Sequence, residues 1–179
     1  MRWPWFAVSL VSISCSPESS KSESASARDA ARCVTPSTVL AGNGLGNLRI
    51  GMSVVQLRAV CNVTRDSTVA HGNEGLPERR IAVAIGMDTL EALVESHAIR
   101  RLEITTPRFR TTDSLGVGSR ADALRSLNAT LAFGDRGVFA LVPAHCGLSF
   151  HLAGVGPTQQ SWSQIADSTR VDRVLAFGC

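Results

Sequence analysis

Tyrosine is absent from this chain, and three tryptophans and six phenylalanines are all the aromatic rings it has. Trp3, Trp5 and Phe6 fall in the first six residues, so the remainder is poorer still. A base-stacking nucleic-acid platform needs exposed aromatic faces, and this composition disfavours one. The net charge is only +3 and no polybasic run concentrates it, which leaves no electrostatic footprint for DNA or RNA. No Cys-x-x-Cys pair occurs, which removes zinc ribbons and thioredoxin-like chemistry. The four histidines, His71, His97, His145 and His151, have no metal-type spacing with one another. Gly42-Asn43-Gly44-Leu45-Gly46 lacks the Lys-Ser/Thr of a phosphate loop and reads as a flexible turn. Gly118-Ser119 lacks the Gly-x-Ser-x-Gly frame of a nucleophile elbow. His145 and Cys146 are neighbours on an extended chain and point to opposite faces, so Cys146 reads as a half-cystine. Together these absences lead to the expectation of a non-catalytic protein without cofactor or metal.

The N-terminus is an export signal in composition. Arg2 supplies a minimal positive region, and residues 3–13 form an apolar stretch too short to span a bilayer as a helix. Ser12-Ile13-Ser14-Cys15 resembles a bacterial lipobox, with Ser12 where leucine is usual. Cys15 is therefore the expected lipidation site, after removal of 1–14 as a signal peptide. Residues 16–31, SPESSKSESASARDAA, hold almost no large apolar side chain and cannot offset their ordering entropy, so 15–32 reads as a flexible tether. Ser16, rather than Asp, after the cysteine implies by the same resemblance an outer-membrane anchor facing the periplasm or the cell surface. With Cys15 set aside, Cys33, Cys61, Cys146 and Cys179 make an even set, and in an exported chain that reads as two disulfides.

An internal repeat organises the rest. Gly51 and Gly118 stand 67 positions apart, each after a short apolar run and before an amphipathic one. At that offset Val54 matches Ala121, Leu57 matches Leu124, and Arg58 matches Arg125. Residues 81–86 then fall on 148–153, and 99–105 find a counterpart in 171–177. Ser53 with Gln56 is a capping-box pattern, and Ser119 is the corresponding cap. Alternation places Ile81, Val83 and Ile85, then Leu90, Ala92 and Val94, then Leu102 and Ile104 on one buried face. A three-residue loop, 96–98, pairs 92 with 102 and keeps those faces together. In the second half Leu148, Phe150 and Leu152 share a face, and pairing Leu148 with Phe177 and Phe150 with Leu175 brings 146 opposite 179. That register predicts a Cys146–Cys179 bridge and, by elimination, Cys33–Cys61. The expected fold class is α+β: two tandem repeats, 33–106 and 107–179, each a short helix packed on a small antiparallel sheet.

The turn Gly51-Met52-Ser53 ahead of a helix and meander, weakly echoed by Gly118-Ser119, resembles the small outer-membrane lipoproteins of the BamE/SmpA class. Two such units resemble the tandem arrangement of the β-lactamase inhibitor proteins. The resemblance implies a protein-binding or scaffolding module of the cell envelope, related to outer-membrane assembly; the alternative is a secreted or surface-bound inhibitor of an enzyme. The expected partner is an envelope protein, with membrane contact through the N-terminal lipid only. Two surfaces are candidates for partner contact. One is the segment joining the halves, with Arg108, Phe109 and Arg110. The other is the outward sheet face, with Arg101, Glu103, Ser149 and His151 beside the small Ala82 and Ala84.

Overall fold

A computed structural model describes residues 33–179 except 36, 71–75 and 135. Cys15, the tether and His71 lie outside the described residues. Three two-residue strands come first, β1 (Leu40–Ala41), β2 (Gly44–Leu45) and β3 (Leu48–Arg49), forming a small antiparallel sheet of their own. Helix α1 (Val54–Val60) follows, then strands β4 (Asn62–Val69), β5 (Glu78–Ile85), β6 (Asp88–Glu95) and β7 (Ala98–Ile104). Helix α2 (Ala121–Ser126) precedes β8 (Thr130–Gly134), β9 (Gly137–Leu141), β10 (Leu148–Leu152) and β11 (Val171–Ala176). A 3-10 turn, Trp162–Gln164, interrupts the connection between the last two strands. The eight longer strands make one antiparallel sheet, ordered β4-β5-β6-β7-β11-β10-β9-β8.

This corrects the expected α+β class. The chain is mostly β, and the halves do not carry separate small sheets. β7 pairs β11, with Val174 opposite Ile104 and Ala176 opposite Leu102, so the last strand of each half sits at the centre of a shared sheet. The helices have only seven and six residues. Segments so short have no stability of their own and are held by packing. Val54 and Leu57 of α1 and Ala121 and Leu124 of α2 are buried, in a single core cluster running through both halves. Strands β4 and β8 escape the alternation rule because neither has a buried face.

Local chemistry explains the helix starts. Ser53 and Gln56 form the full capping box, each side chain accepting from the other's backbone N–H. The second helix differs: Arg120 stands at the cap position without a side-chain cap bond, and the Ser119 hydroxyl accepts instead from the Gly116 N–H and from Arg110. Gly51 and Gly118 both have positive φ, 85° and 89°, the left-handed turn that only glycine adopts freely.

Register decided two further points. The expected pairing of Ala92 with Leu102 is present, but the turn is shorter: Ser96 and His97, both with positive φ, join Glu95 to Ala98, and a bulge after Leu93 restores the phase. Between β10 and β11 the observed register is one residue off the expected one. Leu148 faces Ala176 and Phe150 faces Val174, while Ser149 faces Leu175. A one-residue slip sends a whole side-chain set to the other face. Val174 and Ala176 therefore enter the core, where large-against-small pairs fill the space, and Leu175 and Phe177 turn outward. The same slip takes Cys146 and Cys179 out of direct opposition. They are free, exposed thiols, and the hydrogen bond that the Cys179 thiol donates to Cys146 pushes its pKa up. The Cys33–Cys61 disulfide is present and ties the start of the described chain to the end of α1.

Candidate functional site

The face of the sheet opposite the helices carries the outward set of every strand. Arg101, Glu103, Ser149 and His151 share it, as the alternation implied, beside Ala82 and Ala84. The joining segment does not contribute. Phe109 is fully buried, because the chain there folds back over the core and Leu40 N–H donates to the Arg110 carbonyl. Arg108 reaches Asp88 and the Ile85 carbonyl, and Arg110 reaches Ser119 and the Pro107 carbonyl. The expectation that Phe109 is a contact residue is thus corrected: it is a core side chain, and its two arginines brace neighbouring loops.

The outward face curls on itself. Arg136, in the β8–β9 turn, sits 3.5 Å from Glu78 of β5 and 3.7 Å from Glu103 of β7. From β5 to β9 a flat sheet would measure about 24 Å across five strand spacings, beyond the reach of an Arg–Glu pair. The sheet must therefore be coiled with this face inside, as its twist and its bulges at 63–65, 93–94 and 151–152 favour.

Chemistry on the concave face divides along β7. On one side Glu91 and Glu103 lie directly opposite each other across β6 and β7, a repulsive placement that needs cations. Arg65 (2.6 Å) and Arg80 (3.2 Å) serve Glu91, while Arg173 (3.3 Å) and Arg136 serve Glu103. Glu78, 8% exposed, holds Arg80 at 2.8 Å, Arg136 at 3.5 Å and Arg101 at 3.8 Å. Partial burial opposes the charge on Arg80, but the hydrogen bond to Glu78 and the fields of Glu91 and Glu103 outweigh it and raise its pKa. Arg101 goes the other way. Burial lowers its pKa, Glu78 and Glu103 oppose that, and the like charges of Arg136 and Arg80 add to it. Its buried Nε has no hydrogen-bond partner among the described residues. Among the described residues the network sets five arginines against three glutamates.

On the other side the face is apolar. A recess of about 240 Å³ opens there, walled by Phe139, Leu141, Leu175 and Phe177 and bounded at one end by Arg101 and Arg136. Ser149 lines it, 3% exposed, with a hydroxyl that meets no partner among the described residues. Phe177 and Leu141 are exposed at its rim.

His151 lies on the same face behind Phe139, outside the recess lining. Its Nδ1 meets Asp172 at 2.5 Å and its Nε2 meets the Arg136 carbonyl at 2.7 Å, while its ring edge packs on Phe139. Gly137 permits this approach, since a Cβ there would stand 2.6 Å from His151 Nε2. Asp172, His151 and Ser149 have the membership of a hydrolytic triad but not its geometry. The imidazole nitrogen that would take a serine proton is engaged by a carbonyl, and no His–Ser hydrogen bond forms. Among the described residues no group of three metal-binding side chains comes together.

The crystal structure of the uncharacterized protein yfeY from Escherichia coli is similar to this chain, with a TM-score of 0.57 and 16% identity, covering 78% of this chain and 99% of that one. That likeness shows the fold alone. No family model and no curated protein matches the chain.

Sequence reasoning missed Glu78, Glu91, Arg136, Arg173 and the recess wall. A signal was available for part of it: 137–141 and 174–177 carry apolar residues at successive positions, so whichever set is buried, another must face out.

Proposed function

We propose that the protein is an exported, lipid-anchored, non-catalytic binding module of the cell envelope, presenting the concave face of its sheet to a partner. The observation that carries this is the open apolar recess beside a positively charged network on an otherwise well-packed molecule. The disulfide fits an oxidising compartment. No helix among the described residues is long and apolar enough to cross a membrane; the attachment proposed is the lipid on Cys15. The test is site-specific photo-cross-linking in intact envelopes. A cross-linker at Leu141 or Phe177 should give partner adducts, whereas one at Val55, 79% exposed on α1, should not. Equal adducts at Val55, or none at the recess, would reject the assignment. In the same cells Cys15→Ser should move the protein to the soluble fraction.

A further inference from the structure

The recess has its own chemistry, and it points to a narrower ligand class. We infer that it binds a single-chain carboxylate amphiphile, a fatty-acid-like anion; this rests on the concave face being the binding surface. Three observations converge. First, the wall is apolar, supplied by Phe139, Leu141, Leu175 and Phe177. Second, the polar groups are donors: Arg101, whose buried Nε is unpaired, Arg136, and the Ser149 hydroxyl, 3% exposed and also unpaired. Buried donors without acceptors are costly, and a carboxylate oxygen is the acceptor that such a set lacks. Among the described residues five arginines stand against three glutamates around Arg101 and Arg136, so an anion is the ligand of complementary charge.

Third, the floor discriminates between an acyl chain and a peptide. Four of the five strands lining the recess, β7, β11, β10 and β9, are interior and paired on both sides, so their backbone groups are engaged in ladders; the fifth, β8, is an edge strand and contributes only Ala132 and Gly134. A peptide lying there would bury its own N–H and C=O groups with few partners. An acyl chain has no such groups. At about 30 Å³ per displaced water, the recess has room for roughly eight, which suits a chain of about ten carbons whose end emerges at the rim.

Calorimetric titration of the folded protein with decanoate, below its micellar range, tests this. Decanoate should bind with 1:1 stoichiometry, and butyrate, decanol and decylamine should each bind at least about tenfold more weakly. Arg101→Gln and Ser149→Ala should each weaken decanoate by about tenfold. Leu141→Asp, a rim change at an exposed position, should abolish binding while the melting transition stays cooperative. Absence of decanoate binding to the wild type, equal affinity for decanol or decylamine, or unchanged affinity in Leu141→Asp would overturn the inference. Cross-linking at Leu141 that persists when decanoate fails to bind would overturn the ligand class alone and leave the binding module standing.

Discussion

The two halves of the concave face, built from equal numbers of strands, solve the exposure of a sheet differently. Over β5 to β7 the outward positions hold glutamates and arginines that close on one another; over β11 to β8, Arg173 and His151 apart, they hold phenylalanine, leucine and small residues that leave a recess. The edges differ in the same sense. β4 has a bulge, carries Arg65 and Asp66, and runs eight residues. β8 has five residues, TLAFG, with no charge and an unbroken register, and Phe133 is about half exposed on it. Charges and bulges on an edge deter other strands, so the first half is guarded and the second is open to contact. The proposed binding function falls on the half where solvation and packing are least complete.

Three measurements sharpen or break that contrast. The largest effect concerns the cysteines. The Cys33–Cys61 bridge spans 28 residues of sequence, and its loss through the Cys33→Ser/Cys61→Ser pair should cost about 3–4 kcal/mol in urea unfolding. Cys146→Ser/Cys179→Ser should cost well under about 1 kcal/mol, because exposed thiols contribute little. Similar costs for the two pairs would mean that the second half is also covalently closed.

A smaller effect separates the two chemistries of the face. Glu78→Gln leaves Arg80, Arg101 and Arg136 without their shared carboxylate and should destabilise by about 2 kcal/mol, below the range for a fully buried pair because Arg80 and Arg136 remain partly wet. Ser149→Ala removes an unpaired buried hydroxyl and should cost nothing, or stabilise by up to about 1 kcal/mol. If Ser149→Ala costs as much as Glu78→Gln, the recess is a packed structural element and not a site.

The smallest effect is a pH dependence confined to the guarded edge. Hydrogen bonds from Arg79 hold the Asp66 carboxyl at about 2, against 3.8 unperturbed; slight burial opposes them and Arg58 reinforces them. A depressed carboxyl pKa stabilises the fold above the unfolded value, and that contribution is lost as the pH falls from there through about 2. Solvent screening keeps it below about 1 kcal/mol. Asp66→Asn should therefore lower the urea midpoint slightly at pH 7 and match wild type near pH 2. A gap that persists at pH 2 would assign the effect to packing.

Much of the buried face was written locally. Ile81, Val83, Leu90, Ala92, Leu102 and Ile104 alternate as a half-buried strand must, and all are in the core. Four of the seven candidate contact residues share the concave face for the same reason. Arg136 was beyond such reasoning. It sits in a turn, and its reach to Glu78 exists only because the sheet coils. Phe109 misled because an aromatic between two arginines reads as a contact loop until the loop is seen to fold inward.

By itself the sequence determined which segments alternate, where glycine turns precede each helix, and the Ser53 cap. These depend on short-range sterics and on side-chain periodicity, which neighbours in the chain settle. Only the tertiary structure decided that β7 joins β11, and that Leu175 and Phe177 face outward. Ladder hydrogen bonds are made by backbone groups common to every residue, so strand pairing carries little local signature. Registers one residue apart bury different side chains at similar hydrogen-bonding energy, and the packing of Val174 and Ala176 beneath Phe150 and Leu148 selected the one that left a recess open.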